Sequence, residues 1–147
     1  MKWTYNDGGR SKYFKKADVR DCVCRAVAIG SGMDYMDVYR LINKLAQTEV
    51  MEKKQRHRSS ARDGVYKQTT RALLSALGWE WHPVMGFGTG CRMHMKKSEL
   101  PSGTIIVKLS RHLACVKNGV LHDTFDCSRG GTRCVYGYWT KPRRANA

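Results

Sequence analysis

The sequence predicts an α+β fold in which N-terminal helices pack on a C-terminal antiparallel sheet. Up to Gly78 the apolar residues recur at helical spacing, and beyond it they alternate or form β-branched runs. Asn118-Gly119, set between two apolar stretches, is the strongest short signal for a two-residue β-hairpin. The 147 residues, 41% of them apolar, suffice for one domain with a real core. Neither repeats nor low-complexity linkers divide residues 1–147, so a single domain is expected.

Residues 1–17 are polar, basic and dotted with aromatics, and are expected to form an irregular lead-in. A helix is predicted over 21–29, with Val23, Ala26 and Val27 as its inward stripe and Gly30-Ser31-Gly32 as its stop. Asp34 is an N-cap, and Asp37 three residues later imitates a capping box. Val38, Leu41, Ile42 and Leu45 then mark the buried face of a second helix. The stretch 49–63 is charged without apolar periodicity and reads as an exposed loop. A third helix over 65–77 carries Leu73, Leu74 and Leu77 and ends at Gly78.

Strand character begins with the alternation of 79–82, which Pro83 ends. The glycine-rich loop 85–90 lacks the lysine and pattern of a phosphate-binding loop and would instead let backbone approach a partner or substrate. Residues 104–109 are strongly β-branched, the hairpin follows, and 135–139 closes the sheet before a basic tail over 140–147.

Lys and Arg number 27 against 12 Asp and Glu, a formal charge of +15. That balance attracts acidic protein surfaces and, non-specifically, nucleic acid. The cations are dispersed over 10–16, 53–62, 92–97 and 141–144, a pattern of solvated surface rather than of one dedicated groove. No run reaches the roughly 18 apolar residues of a membrane span, and the N-terminus lacks a secretory pattern. A cytoplasmic protein with reduced cysteines and no membrane partner is expected. Cys91 and His94 have ligand-like spacing, as do Cys127 and Cys134, but zinc signatures need two close pairs. Neither metal nor cofactor is expected.

Cys22 opens the first helix, where unpaired amides and the helix dipole favour a thiolate. The competing explanation is a small buried hydrophobe. Cys24, two positions on, points to another helical face. His112 is the candidate general base, since imidazole titrates near neutrality; Ser110-Arg111 before it interrupt the apolar run like a site edge. With Asn118-Gly119 as the loop, Phe125 stands opposite His112, and side-chain alternation puts Asp123 on the same face. Asp123 is therefore preferred as the orienting acid, with Asp126 the alternative, and His122 faces away.

The stretches Asp-Cys-Val-Cys-Arg-Ala from Asp21, Ser-Arg-His-Leu-Ala-Cys-Val from Ser110 and Val-Leu-His-Asp-Thr-Phe-Asp from Val120 together resemble the papain-like cysteine peptidase superfamily. The likeness runs over about residues 18–139. It is greatest to compact versions such as bacteriocin-leader peptidase domains and related uncharacterised bacteriophage proteins. The resemblance implies a papain-like fold with Cys22 as nucleophile, His112 as base and Asp123 as orienting acid. It implies thiol-dependent hydrolysis of a peptide or amide bond. The substrate would be a peptide or protein, an acidic one given the charge, and a host protein in the host cytoplasm if the chain is phage-encoded. Trp81, Phe87 and Gly88 are the candidate substrate-binding residues. One departure stands out: where many members carry a glutamine five or six residues before the cysteine, this chain has Ala17 and Lys16. The Cys22 amide is then the one identified oxyanion donor, with Asn6 a residue that could return to the site. The rival reading is a catalytically weak or inactive papain-like scaffold that binds a host factor or nucleic acid through its charge.

Overall fold

The computed structural model describes residues 1–16 and 19–142. Three helices, α1 (Cys22–Ser31), α2 (Tyr35–Ala46) and α3 (Lys67–Ala76), lie on one face of a six-stranded mixed sheet. Its strands are β1 (Lys2–Tyr5), β2 (Glu80–Pro83), β3 (Thr104–Leu109), β4 (His112–Lys117), β5 (Val120–Asp123) and β6 (Gly137–Thr140), in the order β1-β5-β4-β3-β6-β2. The α+β class agrees with the sequence pattern, and after β1 the three helices precede the other five strands.

The lead-in corrects the expectation for residues 1–17. Lys2–Tyr5 forms an edge strand parallel to β5, and Arg10–Lys12 makes a 3-10 turn. The sheet is therefore mixed rather than antiparallel. Lys2-Trp3-Thr4-Tyr5 alternates polar and aromatic residues, but over four exposed positions that pattern is too short to mark a strand on its own. At the other end Thr140 still belongs to β6, and 143–147 of the basic tail lie outside the described residues.

Each face of the sheet has its own core. Val23, Val27, Tyr35, Val38, Ile42, Leu73 and Leu74 of the helices meet Ile106, Leu113 and Trp139. On the opposite face Ile105, Val107, Leu109, Ala114, Val116 and Leu121 are covered by Met95, Leu100, Cys127 and Val135 from the connecting segments. Burial on both faces explains why β3 reads as a continuous apolar run.

Asp34 caps α2 by accepting the Met36 amide at 3.1 Å, while Asp37 pairs on the surface with Arg40 instead of completing a capping box. The region 49–63 is not simply an exposed loop. Glu49 is buried and accepts hydrogen bonds from the Ser59 amide and from the side chains of Ser59, Thr69 and Gln55. One buried carboxylate thus ties this segment to α3, a role that charge composition conceals. No helix among the described residues is long and apolar enough to cross a membrane.

Candidate active site

Two hairpins fix the histidine. Ser110 and Arg111 form the two-residue turn between β3 and β4, with Arg111 in the left-handed region at φ 54°, so His112 stands directly at the start of its strand. At the far end Asn118 and Gly119, at φ 48° and 79°, make the predicted tight turn. The register Cys115↔His122 and Val116↔Leu121 is the one that loop dictates. It carries Asp123 to the face of His112. The His112 Nε2 donates to Asp123 Oδ2 at 2.6 Å, and the Phe125 ring packs on the imidazole at 5.3 Å between centroids.

Cys22 is the first residue of α1, and Asp21 supplies no side-chain cap to the helix. The first-turn amides therefore take no side-chain partner from Asp21, and their partial positive charge favours an anion at this helix end. The His112 imidazole and the Leu113 amide are among the groups that act on the thiol. Because Asp123 holds Nε2, the ring nitrogen left for Cys22 is Nδ1. Both side chains line one cleft of about 990 Å³, together with Trp81, Lys108, Phe125 and Tyr136.

The electrostatics of the three groups are mutually dependent. Burial pushes the Cys22 thiol up, but the hydrogen bond and charge of His112, the Leu113 amide and Arg25 bring it below its ordinary value. Burial pulls His112 down, while hydrogen bonds to Asp123, Cys127 and Cys22 raise it to about 11. Burial raises Asp123, and His112, the Thr124 amide and Arg25 more than reverse that. Each shift favours the charged form of its group, thiolate, imidazolium and carboxylate in turn.

Asp123 is positioned from three directions. Its Oδ1 accepts the Thr124 amide at 2.7 Å and Arg25 Nη2 at 3.2 Å. Its carbonyl accepts Trp3 Nε1 at 3.1 Å and the Asn6 amide at 2.9 Å, so β1 fixes the backbone that carries the acid. Arg25 is itself held by Asp21, which is fully buried and also accepts from Arg10 at 3.1 Å and Tyr35 Oη at 2.7 Å. Two arginines and two aspartates thus form a buried chain of charge behind the imidazole. Removing one member of such a chain leaves an uncompensated charge, at a cost of about 3–5 kcal/mol.

The remaining sequence candidates are placed as follows. Asp126 is exposed and bonds to the amide and hydroxyl of Ser128, so of the two carboxylates it is Asp123 that meets His112. Trp81 lines the cleft, its ring packed on Trp139 at 4.3 Å. Gly137 makes room for that ring, since a Cβ there would lie 2.2 Å from the indole. Phe87 and Gly88 do not reach the cleft. The loop closes on itself through Gly86 and Thr89, leaving Phe87 fully exposed and no neighbour near Gly88; only Met85 of 85–90 lines the site. Asn6 is engaged with the Gly8 amide and His122 and is no oxyanion donor. Lys16 is exposed, and Ala17 lies outside the described residues.

The cysteines divide into distinct environments. Cys24 is buried against the Tyr35 carbonyl and pushed up to about 12 by burial and Asp21, which makes it inert beside Cys22. Cys91 and Cys134 form a disulfide, correcting the expectation that every thiol is reduced. His94, whose Nδ1 meets Glu99 at 3.1 Å, completes a possible donor set with them, but that set requires both sulfurs reduced. His112, Asp123 and Cys127 also bring donor atoms within 4.8 Å of one another. A cation there would have to replace the proton shared by His112 and Asp123.

Comparison with protein-family models, with curated proteins and with solved structures finds no match. The site rests on its own geometry. Sequence reasoning missed Arg25, Asp21 and Lys108. An arginine three residues after a helix-opening cysteine is adjacent to it on the helix surface, and that spacing was the available signal.

Proposed function

We propose that the chain is a thiol-dependent hydrolase of peptide or amide bonds, with a papain-like arrangement of Cys22, His112 and Asp123. The observation that carries this reading is the 2.6 Å bond from His112 to Asp123 beside a thiol at the uncapped head of α1. In the first half-reaction the Cys22 thiolate attacks the carbonyl carbon, and the Cys22 backbone amide donates to the developing oxyanion. The C–N bond then breaks as His112 gives its proton to the leaving amine, producing a thioester. In the second, His112 takes a proton from water, the hydroxide adds to the thioester, and the acid departs as Cys22 returns to thiolate. Asp123 holds the ring orientation and the imidazolium charge throughout.

The test is iodoacetamide labelling at mildly acidic pH with mass spectrometry on each cysteine. Cys22 should be modified well ahead of Cys24, Cys115 and Cys127, and a folded His112→Ala variant should lose that lead. Equal, slow labelling of all the free thiols would reject the hydrolase. The rival, a polyanion-binding scaffold, is favoured by the +15 charge. Such a binder loses affinity steeply with added salt whether or not Cys22 is replaced.

A further inference from the structure

Lys108 occupies an unusual electrostatic position. It lies on β3 two residues beyond Ile106, on the helix-side face, half-buried in the cleft that Cys22 lines. Its neighbours across the sheet are Leu113 and Gly137, neither of which offers an acceptor side chain. Among the described residues no carboxylate pairs with it. The charges it feels besides the Cys22 thiolate are cationic, from Lys67 and Arg133. Arg133 is itself spent on the carbonyls of Cys127 and Ser110. Lys67 is exposed at the first position of α3 and lines the same cleft. Arg20, Arg71 and Arg111 add to this wall, and Asp63 is the single acid among the described lining residues.

A half-buried ammonium beside further cations is unfavourable in the empty cleft, because no carboxylate pairs with it and the Cys22 sulfur only partly offsets its desolvation. A bound carboxylate would relieve both problems. We propose that Lys108, assisted by Lys67, forms a specificity subsite for a substrate carboxylate, so that the peptide cleaved carries Asp or Glu beside the scissile bond. This rests on the hydrolase reading and names its substrate class. The net charge alone could not supply it, since dispersed surface cations attract acidic partners without selecting a residue. Here the cation stands within electrostatic reach of the reacting sulfur.

The experiment uses the full chain and two irreversible probes, acetyl-Ala-Ala-Asp acyloxymethyl ketone and its Ala-Ala-Asn counterpart, with alkylation of Cys22 followed by mass. A second pair, an epoxysuccinyl peptide with a free carboxylate and its amide, presents the charge as a chain end rather than a side chain. The Asp probe should react about tenfold or more faster than the Asn probe, as expected for one charge-assisted hydrogen bond. That ratio should fall toward one in Lys108→Gln and decrease in Lys67→Gln; the exposed Lys67 provides the result if the first variant does not fold. Equal rates for Asp and Asn in the wild-type chain overturn the proposal. So does a preference that survives both substitutions, or one confined to the epoxysuccinyl pair. A loss of iodoacetamide reactivity in Lys108→Gln with the Asp-to-Asn ratio intact would make Lys108 a thiolate partner only, and would also overturn it. If neither probe nor iodoacetamide favours Cys22, it is the hydrolase reading that fails, and the subsite with it.

Discussion

His112 Nε2 and Asp123 Oδ2 stand 2.6 Å apart, joined across a hairpin although they are eleven positions apart in sequence. The parity of the strands, not the closeness of the sequence, decides that Asp123 and not Asp126 meets the imidazole. Asp123→Ala should therefore lower Cys22-dependent turnover by at least 100-fold, within the range that a positioned acid–base pair contributes. It should also destabilise the protein by about 3–5 kcal/mol, because Arg25 and His112 lose their shared counter-charge. Asp126→Ala should change stability by about 0.5–1 kcal/mol, the worth of a local turn bond, and leave turnover intact. Urea titrations and a turnover assay on the two variants check both halves.

The paired titration of Cys22 and His112 sets a pH profile. Alkylation of Cys22 by iodoacetamide should rise with an inflection below the ordinary thiol value of 9.0, since His112 favours the thiolate. Hydrolysis should persist to higher pH than an ordinary imidazolium permits, and decline as His112 loses its proton near about 11. Stability follows the same groups. His112 is raised from 6.5, so its contribution is complete below pH 6.5 and is lost as pH climbs toward about 11. Asp123 is lowered from 3.8, so its contribution is present above that value and disappears as acid protonates it. A single-inflection alkylation curve at 9.0 would contradict the coupling.

The helices, β3 and the hairpin were legible because each is specified locally. Apolar spacing marks α2, β-branching marks β3, and Asn118-Gly119 fixes a register from which the place of Asp123 follows. What stayed hidden depends on contacts between distant segments. β1 is exposed and short, and it exists through its ladder with β5. Glu49 looked like surface charge because its partners lie up to twenty residues away. The glycines around Phe87 and Gly88 suggest substrate contact, but they instead close a turn, Gly88 and Gly90 at φ 77° and 70° and Gly86 bonded to Thr89, that leaves Phe87 exposed.

Arg25 links the helix that carries Cys22 to the strand that carries Asp123, through Asp21 on one side and Asp123 on the other. Arg25→Met keeps the stem but deletes the charge, leaving both carboxylates short of a donor. The expected loss is about 3–5 kcal/mol. Because the Arg25 charge also lowers the thiol, the Cys22 alkylation inflection should move upward in the same variant. Arg40→Met, removing an exposed pair with Asp37, should cost about 0–1 kcal/mol and shift nothing.

Cys91 and Cys134 close a loop across a sequence separation of 43, tying the segment after the glycine-rich turn to the approach to β6. In the unfolded chain this cross-link restricts the intervening residues, and such a bond typically contributes about 2–4 kcal/mol. The Cys91→Ser, Cys134→Ser double variant should lose about that much in urea titration. The link lies outside the groups that line the cleft with Cys22, so the double variant should keep its selective alkylation of Cys22. In denaturant without reductant, four cysteines should take iodoacetamide, and all six after reduction. Six labelled thiols before reduction would mean that the bond does not form, and the cluster with His94 would then be a reduced Cys–His–Cys donor set.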